Sequence, residues 1–148
     1  MSGSTSEART VPPSASSVQV GHELPGATIR VSRERLVEYA AASGDRNPIH
    51  WNESFATSVG LPGVIAHGMF TMGVAIEVVS AWAGAAAVRE YGCKFVAPVP
   101  VGDEGAVIEV AGRVTKVDVD ERRAVVDLTV THAGVKVLGR ARATVELG

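Results

Sequence analysis

The segment "AHGMFTMGVAIEVVSAW", residues 66–82, limits the possible folds of this chain more than any other. It is the longest helical candidate and is apolar almost all round, and a helix of that kind needs cover on nearly every side. His67, Glu77 and several glycines interrupt it, so no unbroken apolar run reaches the roughly 18 residues of a membrane span. The segment therefore reads as a helix buried within protein rather than within lipid.

The C-terminal part of the chain supplies the cover. From residue 88 onward the hydrophobic period shortens to two. Ala124, Val126, Leu128 and Val130 face one way against Val125, Asp127, Thr129 and Thr131, and Val135, Val137, Gly139, Ala141, Ala143, Val145 and Leu147 alternate with mostly polar partners. The run from Val107 to Val114 alternates less perfectly. "VDERR" at 119–123 and "HAGV" at 132–135 are the turns, which implies about four strands in an antiparallel meander. Upstream, a strand is expected near 26–31. Ser32 caps a helix "RERLVEYAAAS" whose Leu36, Val37, Ala40 and Ala41 share a face, and Gly44 stops it. Residues 53–63 read as one or two helical turns. The order strand, helices, strands predicts an α+β fold in which a curved antiparallel sheet wraps a long central apolar helix, the hot-dog arrangement. An α+β sandwich with helices on one face of the sheet has the same element order.

A length of 148 residues accommodates one compact domain, predicted to span 18–148. With 46% hydrophobic but only 5% aromatic residues, its core must be built from Val, Ala, Leu and Ile. Residues 1–17, "MSGSTSEARTVPPSASS", are rich in Ser, Thr and Pro and lack a secretory pattern, so a disordered N-terminal tail is expected. The net charge of -2, with scattered Lys and Arg, gives no footprint for nucleic acid. Cys93 stands alone, which excludes an internal disulfide and fits a small buried side chain in a reducing, cytoplasmic setting.

The loop "SGDRNPIH", 43–50, carries the chemistry. Pro48 keeps Asn47 out of the α region, so Asp45, Asn47 and His50 lie on a turned, non-helical segment where their side chains can converge. A carboxylate and an imidazole can divide two proton transfers between them, and the Asn47 amide can hold a water. Taken singly, each has a plainer role: Asp45 as a turn residue, Asn47-Pro48 as a turn, His50 as a histidine bonded to a carbonyl. "AHGM" at 66–69 opens the long helix, where backbone N–H groups lack partners and the dipole favours negative charge. The N–H of Gly68, with no side chain in the way, is placed to polarise a carbonyl. The plainer reading gives Gly68 only to tight helix packing and His67 to a cap or to support of the residues that meet substrate.

"YAAASGDRNPIHWNESFA", 39–56, and "GVIAHGMFTMG", 63–73, resemble the MaoC-like, (R)-specific enoyl hydratase family of hot-dog proteins, whose hallmark is a G-D-x-N-P-aliphatic-H loop. Together with the late "GRA" they are most similar to the B-type subunit of actinobacterial (3R)-hydroxyacyl-ACP dehydratases of type II fatty acid or mycolic acid synthesis. The resemblance implies reversible syn addition of water across a trans-2-enoyl thioester. It makes Asp45 and His50 the catalytic pair, Asn47 the residue that places the water, and the Gly68 N–H the oxyanion donor. His50 is expected as base and Asp45 as acid in the dehydration direction, the reverse division staying open. No metal and no redox cofactor is implied, since the substrate arrives on the phosphopantetheine of acyl carrier protein or CoA. The partners implied are an acyl carrier protein and a second hot-dog subunit, identical or not. An (R)-specific enoyl-CoA hydratase would use the same residues, whereas a non-catalytic thioester-binding subunit would be expected to lose the acid or the base. Ala42 departs from the larger aliphatic residue or Gly usual there, with an expected effect on packing beneath the loop.

Overall fold

The computed structural model describes residues 10–148. Strand β1 (Glu23–Val31) leads into helix α1 (Arg33–Ser43), and a 3-10 turn (Pro48–His50) and short helix α2 (Glu53–Ser58) come after it. Helix α3 (Gly68–Ala83) is next, then β2 (Val88–Phe95), β3 (Ala106–Asp118), β4 (Arg123–His132) and β5 (Val135–Glu146). All five strands form one antiparallel sheet in the order β1-β3-β4-β5-β2, and α3 touches every strand. This is the expected α+β hot-dog architecture.

Only β3, β4 and β5 form a meander. The strand after α3 does not join β3, as a simple four-strand meander would require. It pairs with β5 at the far edge, and residues 96–105 carry the chain back across to β3. The Tyr91 hydroxyl of β2 donates to the Met72 carbonyl at 2.8 Å, which ties this edge strand to α3.

Helix α3 presents Phe70, Thr71, Val74, Ala75, Val78, Val79 and Ala83 to the sheet. On the sheet side, Ile108, Val110, Val114, Val126 and Val130 are buried. Each fully buried Val or Ile contributes about 1.5–3 kcal/mol, against at most about 1 kcal/mol for an exposed ion pair, so this interface dominates stability. The helix is not covered all round, however. Met69, Gly73, Glu77 and Ala81, spaced by four, leave an exposed stripe along it. Helix α1 likewise buries Leu36 and Ala40 but leaves Val37 and Ala41 exposed. Ala42 is exposed too, so it packs beneath nothing.

Within the segment expected to be a disordered tail, residues 1–9 lie outside the described residues, while 10–17 pack on the domain. Ala15 is buried, its N–H donates to the Gly148 carbonyl at 3.0 Å, and the Gly148 N–H donates to the Pro13 carbonyl at 2.9 Å. Backbone pairing with the last residues thus holds part of a segment whose composition looks unstructured. Among the described residues no helix is long and apolar enough to cross a membrane.

Candidate active site

The loop between α1 and α2 is shaped by its own polar side chains. Ser32 caps α1, and Gly44 ends it in the left-handed region at φ 78°, turning the chain away. The Ser43 hydroxyl then accepts from the Asp45 N–H at 3.2 Å, Asp45 Oδ1 from the Asn47 N–H at 3.2 Å, and Asn47 Oδ1 from the Ile49 N–H at 3.2 Å. Asn52 caps α2 by accepting from the Phe55 N–H at 3.0 Å, and the Trp51 indole N–H donates to the Arg46 carbonyl at 3.0 Å. Arg33 fastens this loop from outside: it pairs with Glu53 on α2, reaches Asp103 at 3.1 Å, and donates to the Val101 carbonyl at 2.8 Å.

His50 is buried, and its Nδ1 donates to the Ile65 carbonyl at 2.7 Å. A carbonyl only accepts, so the bond puts the proton on Nδ1 and leaves the Nε2 lone pair for chemistry. That Nε2 lies 3.8 Å from Asp45 Oδ2. The two groups differ in setting, for the Asp45 side chain is 53% exposed and that of His50 only 7%. The plainer roles are present and leave room for the chemical ones: Asp45 shapes the turn through one oxygen and faces His50 with the other. Asn47 commits its carbonyl oxygen to the turn, with its amide Nδ2 remaining as a donor.

Gly68 is the first residue of α3, ahead of the intrahelical acceptors. A Cβ there would lie 3.0 to 3.2 Å from the Phe95 ring, so glycine is what lets β2 close against the helix start. Both His50 and Gly68 line a cavity of about 430 Å³, walled otherwise by mainly apolar side chains including Phe95, Val99, Val137 and Leu138. A mainly apolar cavity lined also by an imidazole and a helix-start N–H can take a chain with a polar head.

Asp45, His50 and His67 offer ligand atoms that lie within 4.8 Å of one another. Ring orientation disfavours a metal there. The two imidazoles are stacked, with centroids 3.7 Å apart and planes at 21°, so their in-plane lone pairs run side by side instead of converging. The arrangement is better shaped for proton transfer.

Comparison with known proteins identifies the family. The family model described as the MaoC like domain matches residues 17–135. The chain belongs to the MaoC-like domain family. This MaoC-like chain is 44% identical over 57 residues to 3-hydroxyacyl-thioester dehydratase X of Mycobacterium tuberculosis, which covers 38% of the chain and 20% of the relative. It is 35% identical over 97 residues to 3-hydroxybutyryl-CoA dehydratase of Methylorubrum extorquens, covering 64% of the chain and 59% of the relative. Among solved structures, a MaoC-like dehydratase superimposes with a TM-score of 0.91 at 43% identity, over 95% of this chain and 44% of that one. The chain thus spans less than two thirds of the length of these relatives.

Sequence reasoning about the MaoC-like site missed its far wall. Residues 95–99, "FVAPV", drew no functional reading from the sequence, yet all five line the cavity. Two prolines, Pro98 and Pro100, flanking a valine were the available signal, since they keep the segment extended without letting it join the sheet interior. Of the two roles open to His67, its side chain makes no cap bond, and its ring lies stacked against His50.

Proposed function

We propose that this chain catalyses the reversible syn dehydration of (3R)-3-hydroxyacyl thioesters to trans-2-enoyl thioesters. The observation that carries the reading is the facing of Asp45 Oδ2 and His50 Nε2 at 3.8 Å, with His50 and Gly68 both lining one mainly apolar cavity. At that distance the two do not hydrogen-bond to each other, so each keeps a position for substrate. The thioester oxygen accepts from the Gly68 N–H, which stabilises the enolate by about 3 kcal/mol. His50 removes the α-proton while Asp45 protonates the departing hydroxyl, each role worth roughly a hundredfold or more in rate. Asn47 Nδ2 orients the departing or arriving water. The acyl tail occupies the cavity between Phe95, Val99, Val137 and Leu138.

The thioester itself makes the α-proton removable, so the reaction proposed needs neither metal nor redox cofactor. The names of the relatives support this class of substrate, and a substrate carried on phosphopantetheine makes acyl carrier protein the natural partner in fatty-chain elongation in the cytoplasm. A second hot-dog subunit, identical or not, is also proposed. Strand β2 is a sheet edge, and Phe95 and Val96 beside the cavity are 55% and 54% exposed. With CoA as carrier and flux reversed, the same site is an (R)-specific enoyl-CoA hydratase.

The test is hydration of a short trans-2-enoyl-CoA by the purified chain, followed by loss of the conjugated thioester absorbance. The expected result is turnover that disappears in both Asp45→Asn and His50→Ala. Turnover that survives both substitutions overturns the assignment, as does a folded protein inert toward CoA and carrier-protein substrates even with its co-purified partner.

A further inference from the structure

His67 is 1% exposed and stands at the cap position of α3, yet its side chain caps nothing. Its Nε2 lies 3.1 Å from the backbone carbonyl of Asp45, and because a carbonyl only accepts, the ring proton is on Nε2. Its Nδ1 is buried and has no hydrogen-bond partner. Protonating it would bury a second donor, and a positive charge, beside the positive end of α3 and under the His50 ring. The groups facing it are Asp45, His50 and Tyr39, the last with its ring edge-on at 4.8 Å and 63°. None supplies an acceptor to Nδ1. The ring is therefore held neutral in a single tautomer.

What that ring touches gives it a task. His50 has one in-plane restraint, its bond to Ile65, which alone permits the imidazole to rock about the bond. Stacking on His67 at 3.7 Å removes that freedom. The same ring tethers the backbone of Asp45, twenty-two residues away in sequence. We propose that His67 is a positioning residue that holds both members of the catalytic pair at once, His50 by its ring face and Asp45 by its carbonyl, while taking no proton itself. This deepens the dehydratase reading and rests on it for its kinetic test.

Two substitutions divide the roles. His67→Phe keeps a flat ring beneath His50 and removes the tether, whereas His67→Gln keeps an amide donor near the Asp45 carbonyl and removes the ring. Each is expected to lower kcat about tenfold with KM changed less than about twofold, and His67→Ala to lower it about a hundredfold, the scale set by misplacement of reacting groups. The kcat/KM pH profile of His67→Gln, where the stacked face is lost, should differ from that of wild type. A second readout needs no substrate: nitrogen-15 spectra of the full-length wild-type chain should show His67 as the Nε2–H tautomer and silent near the usual histidine value. A His67 that titrates there or carries its proton on Nδ1 overturns the proposal. So does a folded His67→Phe and His67→Gln pair with wild-type kcat and pH profile. If the wild-type chain hydrates no enoyl thioester, the dehydratase reading fails, and the spectra still decide whether His67 is the fixed neutral ring.

Discussion

Asp45 turns one carboxylate oxygen to the Asn47 N–H at 3.2 Å and the other to His50 Nε2 at 3.8 Å, so a single side chain both builds the loop and faces the buried imidazole. The two duties are separable by one atom. In Asp45→Asn the carbonyl oxygen still accepts from the Asn47 N–H, while the acid is gone. Its denaturation midpoint should stay within what a surface change produces, about 0.5 kcal/mol, with turnover down at least a hundredfold. Parallel urea titrations and rate measurements check this, and a stability loss as large as the rate loss would contradict it.

At Gly68 the added methyl of an alanine meets the Phe95 ring, which is 55% exposed and able to give way by a few tenths of an ångström. Alanine also favours the helical backbone by up to about 1 kcal/mol. Gly68→Ala should therefore fold with a Tm within a few degrees of wild type. Its kcat/KM should nonetheless fall about tenfold or more, because the methyl stands where the thioester oxygen approaches. Thermal unfolding beside steady-state kinetics separates the two effects.

Acid should destabilise the fold through His67. Burial holds this imidazole below the usual histidine value, so near that value the unfolded chain binds a proton that the folded chain refuses. The associated stability is complete above about pH 6.5 and drains away as pH falls toward the depressed folded value, at no more than about 1.4 kcal/mol per pH unit. Urea midpoints at pH 7.5 and 5.5 should differ more in wild type than in His67→Phe. Equal differences would mean that His67 charges freely.

Ala97 lines the cavity at its half-buried side. Ala97→Leu should shorten the acyl chain that fits, costing about 1–3 kcal/mol for each methylene that no longer finds room. The ratio of kcat/KM for long and short enoyl thioesters, measured in both proteins, gives the answer directly. Loss of both activities in equal proportion would place the acyl tail elsewhere.

Local signals were legible and long-range ones were not. Ser32 and Gly44 set the bounds of α1 because capping is decided within a few residues, and Ala124 to Val130 declared the inward face of β4 by strict alternation. Strand β2 pairs at the far edge, with β5 and not with β3, and a choice of partner between distant segments is encoded by no local pattern. In β5 the alternation fails midway: Val137 and Leu138 are both buried, and the register then shifts through a bulge near Arg140, which takes φ 48°. At the site, the loop motif announced Asp45, Asn47 and His50. The stacking of His67 and the wall at 95–99 arise from segments meeting in space, and composition carries no trace of that.

The unequal exposure of the pair has a consequence for isotopes. A proton on Asp45, whose side chain is 53% exposed, has a more direct route to solvent than one on His50 at 7%. A 3-hydroxyacyl thioester deuterated at its α-carbon should therefore wash out its label more slowly, relative to turnover, if the imidazole is the base than if the carboxylate is. The depth at which each group lies turns the division of labour between them into a question of memory, written in the unreacted substrate.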